Sequence, residues 1–322
     1  MSDVLYGFDA EERERVAALR VQGRFFWLDV SLSETNRDDL FAALAIPDGA
    51  VRALPGAPDA SVSRRFHADG EAVLFGLRCY VEFEPPADGT AYRLRPLEVS
   101  VLVTGEYVLT LHQEPVSLPA ALAPDLPGER TKGYFVYSVL DAFVASTFDA
   151  LEEVELRLDG LAETWSQGGR AMRAMLGESG GRLATMRRWV TAEHAVFERV
   201  GVAIGALRGF ETSDEPYFDR LDQQLDVLLG SIDAAANAMG MLMDLQLNER
   251  AYVVSVVATI FVPLTFITGF FGMNFGWMVD HIDSPIAFWL LAFVLPLVTA
   301  FVSWRLVVRR FLIGDGERTR PD

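Results

Sequence analysis

The feature that most constrains this chain is an uncharged apolar stretch in its last quarter. No Asp, Glu, Lys or Arg occurs between Arg250 and Asp280, and residues 251–271 are almost all apolar or small. This length matches the roughly 20 helical residues that cross the hydrocarbon core of a bilayer. A second apolar run, residues 285–304, follows after a short polar interval. Because backbone exposed to lipid must satisfy its own hydrogen bonds, the sequence predicts two membrane-spanning helices joined as a hairpin.

The rest of the chain is acidic. Of 322 residues, 45 are Asp or Glu and 28 are Lys or Arg, which gives a formal net charge of -17. Nucleic acid is not an expected partner, because phosphate binding needs clustered Lys and Arg. Acidic charge suits a cationic partner such as a metal ion, although it also simply keeps a domain soluble. Cys79 is the only cysteine, so the chain can form neither an intrachain disulfide nor a cysteine-rich zinc site.

The charges beside the two apolar runs predict an orientation. Arg250 precedes the first run and three arginines lie within residues 305–310, whereas the loop between the runs carries Asp280 and Asp283 but no Lys or Arg. The positive-inside rule therefore places both termini, including a basic tail at 305–322, in the cytoplasm. The first residues lack the basic region and apolar core of a secretory signal. We expect an integral protein of the inner (plasma) membrane whose larger part is cytoplasmic.

Hydrophobic patterning predicts a change from a sheet to long helices near residue 133. Residues 72–84 and 97–111 are rich in Val, Leu, Tyr and Phe and are interrupted by turn signals, which indicates strands of a mixed sheet. From residue 134, apolar residues recur every three or four positions, which is typical of helices. The predicted fold is an α/β cytoplasmic domain at 1–133 and a helical region at 134–250, with a helix break at 177–181.

The last helix before the membrane is predicted to be unusually long. It runs from Tyr217 to Phe271 and forms a stalk that continues directly into the first span, 251–271. One face of the stalk carries aspartates: Asp219, Asp222, Asp226, Asp233 and Asp244. Carboxylates that face one another in a bundle repel unless cations lie between them. The row is therefore either a regulatory metal site or a solvated helix face.

Continued into the span, this face becomes a row of small residues. It consists of Asn248, Ala251, Val254, Ala258, Val262, Thr265 and Gly269. Steps of three and four residues place them near one face of the helix. Small faces in membrane helices often only allow close packing. Asn248 at one end and a Gly-Met-Asn triplet at residues 272–274 beyond the other favour a pore lining instead. Such a pore requires several copies of the chain.

A short motif, Phe-Gly-Met-Asn-Phe at residues 271–275, ends the first span. A proline-containing span with this ending, a short acidic loop and a second span near the C-terminus resembles the CorA family of divalent-cation (Mg²⁺/Co²⁺) transporters. The resemblance implies that Gly272, Met273 and Asn274 form the selectivity filter at the outer mouth of the pore. It also implies that Asn248 lies at the inner end of the pore and that the channel is a homopentamer.

The motif and the loop after it, residues 272–284, have a physical rationale for this role. Mg²⁺ loses its water shell reluctantly, so neutral oxygens can select the hydrated ion through hydrogen bonds. Asn274 supplies a side-chain carbonyl, and Gly272 and Met273 can offer backbone carbonyls, although an Asn after Gly is also a common helix C-cap. Asp280 and Asp283 can concentrate cations at the entrance.

The resemblance implies a passive Mg²⁺ channel that also passes Co²⁺ and Ni²⁺. Cytoplasmic Mg²⁺ would close it, so that Mg²⁺ is both the transported and the regulatory ion and no organic cofactor is needed. The alternative within the superfamily is a proton-coupled Zn²⁺ transporter, in which the middle residue of the triplet typically varies. An alternative of another class is a membrane-anchored ligand sensor without ion flux. We expect no enzymatic activity, because the four histidines are scattered and no phosphate-binding loop is present.

Overall fold

The structure, a computed structural model, describes residues 3–53, 66–83, 92–122, 131–163, 170–273, 284, 286 and 289–316. It divides into two compact units, Met1–Met239 and Gly240–Asp322. One helix, Glu215–Phe271, contributes residues to both units. The two units are described separately below.

The first unit is built on one mixed sheet. Within the described residues its strands are β1 (Asp3–Tyr6), β2 (Phe26–Ser31), β3 (Phe66–Ala68), β4 (Ala72–Glu82), β5 (Leu94–Thr104) and β6 (Tyr107–His112). Their order in the sheet is β1-β2-β6-β5-β4-β3. The pairs β1–β2 and β2–β6 are parallel, and the others are antiparallel. The predicted mixed sheet is confirmed, and residues 105–106 form the turn that joins β5 to β6.

Three short helices cover one face of the sheet. They are α1 (Ala10–Gln22), α2 (Arg37–Leu44) and α3 (Asp48–Ala53). Alternate residues of β2, namely Phe26, Leu28 and Val30, are fully buried in the same apolar cluster as residues of these helices. Helix α1 begins where the Asp9 side chain accepts a hydrogen bond from Glu12 N at 2.9 Å and ends at Gly23, which has a φ of 65°. These local capping signals define a helix that the sequence interpretation did not include.

Two long helices cover the other face, so the unit has three layers. A short helix α4 (Leu118–Leu122) precedes α5 (Lys132–Glu163), and α6 (Arg170–Gly205) follows. The Trp27 ring of β2 meets Phe143 of α5 edge-on, with centroids 6.4 Å apart. Phe75 of β4 meets Phe197 of α6 in the same way at 5.9 Å. The predicted α/β arrangement followed by long helices is therefore present.

Helix α6 differs from the prediction. It is continuous through residues 177–181, where a break was expected. The break is wrong because buried side chains on both sides of the glycines, such as Leu176 and Leu183, anchor the helix and outweigh its weak local propensity. Gly180 also has a packing role, since an added Cβ would lie 2.9 Å from Met239 Cε of the last long helix.

The last long helix, α7 (Glu215–Phe271), has 57 residues and follows a 3₁₀ turn at Thr212–Asp214. Its length corresponds to about 85 Å. In the first unit its apolar face, including Leu221, Leu228 and Ile232, is fully buried. The predicted continuous helix from the stalk into the first span is confirmed.

The second unit contains the rest of α7, a π-helical turn at Leu290–Val294 and α8 (Leu295–Gly316). Among the described residues, three helical segments are long and apolar enough to cross a membrane: Lys132–Leu161, Glu215–Leu245 and Ala251–Phe271. The most apolar window of the first is 67% buried inside the protein, that of the second 22%, and that of the third 0%. Of these three segments, Ala251–Phe271 is therefore the one whose apolar surface the described residues cover least.

Candidate functional site

The part of α7 that forms the predicted first span has two distinct sides. Half-buried side chains recur on one side: Val256, Ile260, Pro263, Leu264, Ile267 and Phe271. The predicted pore face is exposed throughout: Asn248, Ala251, Val254, Ala258, Val262, Thr265 and Gly269. At about 3.6 residues per turn, the two sets are centred on opposite sides of the helix. Larger exposed side chains, including Phe261 and Phe266, flank the small ones.

The end of α7 closes in a tight turn at the predicted filter. Gly272 N donates a hydrogen bond to the Thr268 carbonyl at 2.9 Å, and Met273 N donates to the Phe270 carbonyl at 3.3 Å. A Cβ added at Gly272 would lie 3.0 Å from the Thr268 oxygen, so glycine is favoured here. The Met273 side chain is exposed. The third residue of the predicted filter, Asn274, lies outside the described residues, as do Asp280 and Asp283.

The structure divides the predicted row of stalk aspartates. Asp233 accepts hydrogen bonds from the Arg187 guanidinium of α6, with Nε–Oδ1 at 2.5 Å and Nη2–Oδ2 at 3.3 Å. This contact lowers the pKa of the Asp233 carboxyl and raises the pKa of Arg187. Asp219 and Asp244 are exposed. The five carboxylates are therefore not equivalent, since Asp233 already has a cationic partner.

The remaining two aspartates of the row meet a histidine. His194 of α6 places its Nε2 atom 3.1 Å from Asp222 Oδ1 and 3.4 Å from Asp226 Oδ1 of α7. Asp222 and Asp226 are one helical turn apart, so both reach the same point beside α7. A histidine and two carboxylates are a ligand set that metal ions can use. The sequence interpretation included both aspartates but not His194, because its position opposite them depends on how α6 pairs with α7.

A second polar cluster, centred on Asp29 in the sheet, is buried and stabilises the fold. Asp29 of β2 is fully buried and accepts hydrogen bonds from Thr110 Oγ1 at 2.6 Å and from Leu118 N at 2.7 Å. Its carboxylate also lies 3.2 Å from His112 Nε2. Trp27 Nε1 donates to Thr110 at 3.0 Å. The group joins β2, β6 and the start of α4, so Asp29 and His112 have a structural role.

The first unit also contains an open cleft of about 560 Å³ with basic side chains in its lining. Three of them contact acceptors in the chain: Arg20 contacts Glu106 at 3.0 Å, Arg24 contacts Asp3 at 2.8 Å, and Lys132 donates to the Gly105 carbonyl at 2.6 Å. The charges of Arg20 and Arg24 are therefore compensated within the first unit.

Comparisons with known proteins agree with this architecture. A zinc transport protein, ZntB of Pectobacterium atrosepticum, is 24% identical over 279 residues, which cover 84% of this chain and 82% of that protein. The divalent cation transporter CmaX of Pseudomonas aeruginosa is 23% identical over 225 residues, which cover 65% of each chain.

Solved structures show the same fold. The complete structure of the CorA magnesium transporter from Methanocaldococcus jannaschii superposes with a TM-score of 0.57 at 18% identity, covering 87% of this chain and 89% of that one. The ZntB cytoplasmic domain from Vibrio parahaemolyticus has a TM-score of 0.53 at 12% identity, covering 70% and 88%.

The model of the family described as CorA-like Mg²⁺ transporter protein matches residues 22–310, which is most of the chain. The resemblance carried by the motif at residues 271–275 is therefore confirmed at the level of the family. The chain belongs to the CorA-like Mg²⁺ transporter family, whose members are membrane transporters of divalent cations and not enzymes.

Proposed function

We propose that this chain forms a passive channel for hydrated divalent cations, with Mg²⁺ as the main substrate and Co²⁺ and Ni²⁺ as further permeant ions. The observation that carries the proposal is the uncovered row of small side chains on α7, opposite the half-buried side of the same helix. A single chain cannot enclose a water-filled path with this row. Several copies around a common axis can, and the family resemblance suggests a homopentamer.

In this proposal the ion meets the filter before it enters the row of small residues. Gly272, Met273 and Asn274 would hold the hydrated ion through neutral oxygens, which suits an ion that keeps its waters. Asp280 and Asp283 would raise the local cation concentration outside. Influx needs no coupled energy source, because the membrane potential contributes about 2.3 kcal/mol per charge per 100 mV.

The proposed orientation is the one that the charges beside the spans predict. The unit built on the sheet would be cytoplasmic, the two spans would be residues 251–271 and 285–304, and the basic tail after them would also be cytoplasmic.

Regulation would involve the carboxylates of the stalk. Mg²⁺ bound between them would hold the pore closed when the cytoplasmic Mg²⁺ concentration is high. Asp219 and Asp244 are the best candidates for such contacts between subunits, because both are exposed in one chain. Asp233 already contacts Arg187, and the exposed Asp226 lies beside His194.

A Zn²⁺ transporter is the second candidate. It is favoured by relatives such as the zinc transport protein ZntB of Pectobacterium atrosepticum, which align over most of this chain. A proton-coupled mechanism would make uptake depend on a pH gradient, whereas a passive channel would respond only to the ion gradient and the membrane potential.

Ion flux into proteoliposomes tests these proposals. The purified full-length protein is reconstituted, and uptake of Mg²⁺, Co²⁺, Ni²⁺ and Zn²⁺ is measured with and without a pH gradient. We expect Mg²⁺, Co²⁺ and Ni²⁺ to enter independently of the pH gradient. Uptake of Zn²⁺ alone that requires the gradient would favour the second candidate. The absence of flux for every ion would contradict both and support the sensor alternative.

A further inference from the structure

Helices α6 and α7 are held side by side in a fixed antiparallel register. The paired positions are Gly201 with Phe218, His194 with Asp222 and Asp226, Arg187 with Asp233, and Gly180 with Met239. The two glycines mark places of close approach, because an added Cβ would lie 2.8 Å from Phe218 Cβ and 2.9 Å from Met239 Cε. The position of His194 between these contacts is therefore set by the packing of two long helices.

The three polar side chains in the middle of this contact converge on one point. His194 Nε2 lies 3.1 Å from Asp222 Oδ1 and 3.4 Å from Asp226 Oδ1, and all three atoms lie within 4.8 Å of one another. In a tetrahedral zinc site with ligand distances near 2.0–2.1 Å, ligand atoms are about 3.3 Å apart. The two distances from His194 match this spacing.

The atoms at this point form ion pairs, but two of them make no hydrogen bond. His194 Nε2 and Asp222 Oδ1 are shielded from solvent, and neither has a hydrogen-bond partner among the described residues, even though they are only 3.1 Å apart. Shielded polar atoms of this kind usually have a partner, and one without it calls for a specific explanation such as a bound ion. The His194 side chain is 22% exposed and that of Asp226 is 67% exposed, so the Asp226 side of the cluster faces solvent.

We propose that His194, Asp222 and Asp226 form a binding site for a transition-metal ion of the Zn²⁺, Co²⁺ and Ni²⁺ class within a single chain. An imidazole nitrogen suits these ions, whereas Mg²⁺ prefers oxygen ligands in a near-ideal octahedron. Three protein ligands leave the remaining coordination positions to water. The site is distinct from the predicted filter and from carboxylate contacts between subunits.

This site deepens the proposed function but does not depend on it. A bound ion would join α6 to α7, and α7 is the helix that continues into Ala251–Phe271. Occupation of the site could therefore bias the stalk in response to a transition metal, separately from Mg²⁺. Binding itself requires only the folded first unit and can be measured without any ion flux.

The test is metal binding to the purified full-length protein in nanodiscs after removal of metal with a chelator. Co²⁺ is titrated while its visible absorption is recorded, because the spectrum reports its ligands and their geometry. Zn²⁺ is then added to displace it, and Mg²⁺ is added in a parallel sample. We expect one His194-dependent Co²⁺ ion per chain, displaced by Zn²⁺ but not by millimolar Mg²⁺.

Two sets of variants isolate the site. His194→Gln and Asp222→Asn should each weaken Co²⁺ binding more than about tenfold, since even outer partners of metal ligands change affinity by 10–100-fold. Glu215→Gln is the control for an exposed carboxylate on α7. His67→Gln is the control for a histidine with a single carboxylate partner, since His67 pairs with Asp69 at 3.2 Å. Both controls should bind as the wild type does.

A second readout guards against loss of folding. Zn²⁺ should raise the midpoint of thermal unfolding of the wild type and of both controls, but not of His194→Gln, because an ion that binds only the folded state stabilises it. Equal Co²⁺ binding by the wild type and His194→Gln, or equal displacement by Mg²⁺, would refute the site and leave only a His–Asp ion pair. Binding without flux would instead refute the proposed channel and leave the metal site standing.

Discussion

At the scale of single residues, the buried Asp29 carboxylate joins three elements of the first unit. It is fully buried and contacts Thr110, Leu118 and His112. We expect Asp29→Ala to lower the free energy of unfolding by about 3–5 kcal/mol, because it leaves buried donors and an imidazole without their partner. Chemical denaturation of the full-length protein measures this loss. The exposed Asp9→Ala change, which removes only a helix cap, should cost about 1 kcal/mol. Equal losses in the two variants would contradict the assigned role of Asp29.

Asn274 is the residue on which the proposed selectivity depends most. Asn274→Ala should abolish Mg²⁺ uptake into proteoliposomes while the oligomer remains intact, since the change removes an oxygen donor but little packing. Asn274→Asp keeps an oxygen at this position and should retain part of the flux. Size-exclusion chromatography checks that both variants assemble. Normal uptake by Asn274→Ala would exclude this residue from the filter.

At the scale of elements, the contact between α6 and α7 makes two glycines of one helix behave oppositely. Gly201→Ala places a methyl group 2.8 Å from Phe218 Cβ and should destabilise the protein by about 1–3 kcal/mol. Gly177→Ala meets no atom within 4 Å and should stabilise α6 by up to about 1 kcal/mol through its helix propensity. Thermal unfolding of the two variants provides the comparison. The same sign for both would show that α6 and α7 are not packed this closely.

The uncovered side of α7 yields a prediction about the pore. Val254 and Val262 are 68% and 65% exposed in one chain, two turns apart on the predicted pore face. In an assembled channel they would form apolar rings that close by dewetting. Val254→Asn should therefore raise Mg²⁺ flux and weaken its inhibition by internal Mg²⁺. The control is Val256→Asn on the half-buried side, which should not raise flux.

A cysteine at either ring should react with aqueous reagents added from one side of the membrane. Native Cys79 provides the background for this measurement, because it is fully buried and burial raises its thiol pKa, so it should react little. If cysteines at positions 254 and 262 are inaccessible from both sides, the pore face is misassigned.

At the scale of the whole molecule, Mg²⁺ should act as its own regulator. Low cytoplasmic Mg²⁺ should open the channel, because a ligand shifts an equilibrium in favour of the state that it binds more tightly. Removing Mg²⁺ should therefore increase both ion flux and cleavage of the soluble region by protease. The double variant Asp219→Asn/Asp244→Asn should respond less to Mg²⁺. In contrast, Asp233→Asn should change the response little, because Asp233 already contacts Arg187. Identical flux and cleavage at all Mg²⁺ concentrations would mean that the carboxylates are only solvated.

Much of the molecule was determined by local sequence. The charge-free run at 251–271 could form only a buried or membrane helix. The turn residues at 105–106 separate β5 from β6, and the period of three to four residues after position 134 gives the long helices. Each of these signals involves residues that are close in the sequence, so the structure it predicts can be recognised without knowledge of the tertiary fold. The family could also be recognised, because its motif occupies adjacent positions at 271–275.

Only the tertiary structure decided which distant groups meet. The parallel pairing of β2 with β6 places Asp29 beside Thr110 and His112, and the antiparallel packing of α6 on α7 places His194 beside Asp222 and Asp226. It also gave Asp233 a partner in Arg187 and kept α6 continuous through its glycines. These outcomes depend on the register between elements far apart in the chain, which is set by the packing of whole faces. The sequence could therefore supply the aspartates of the stalk, but the fold determined which of them have a cation or a histidine opposite.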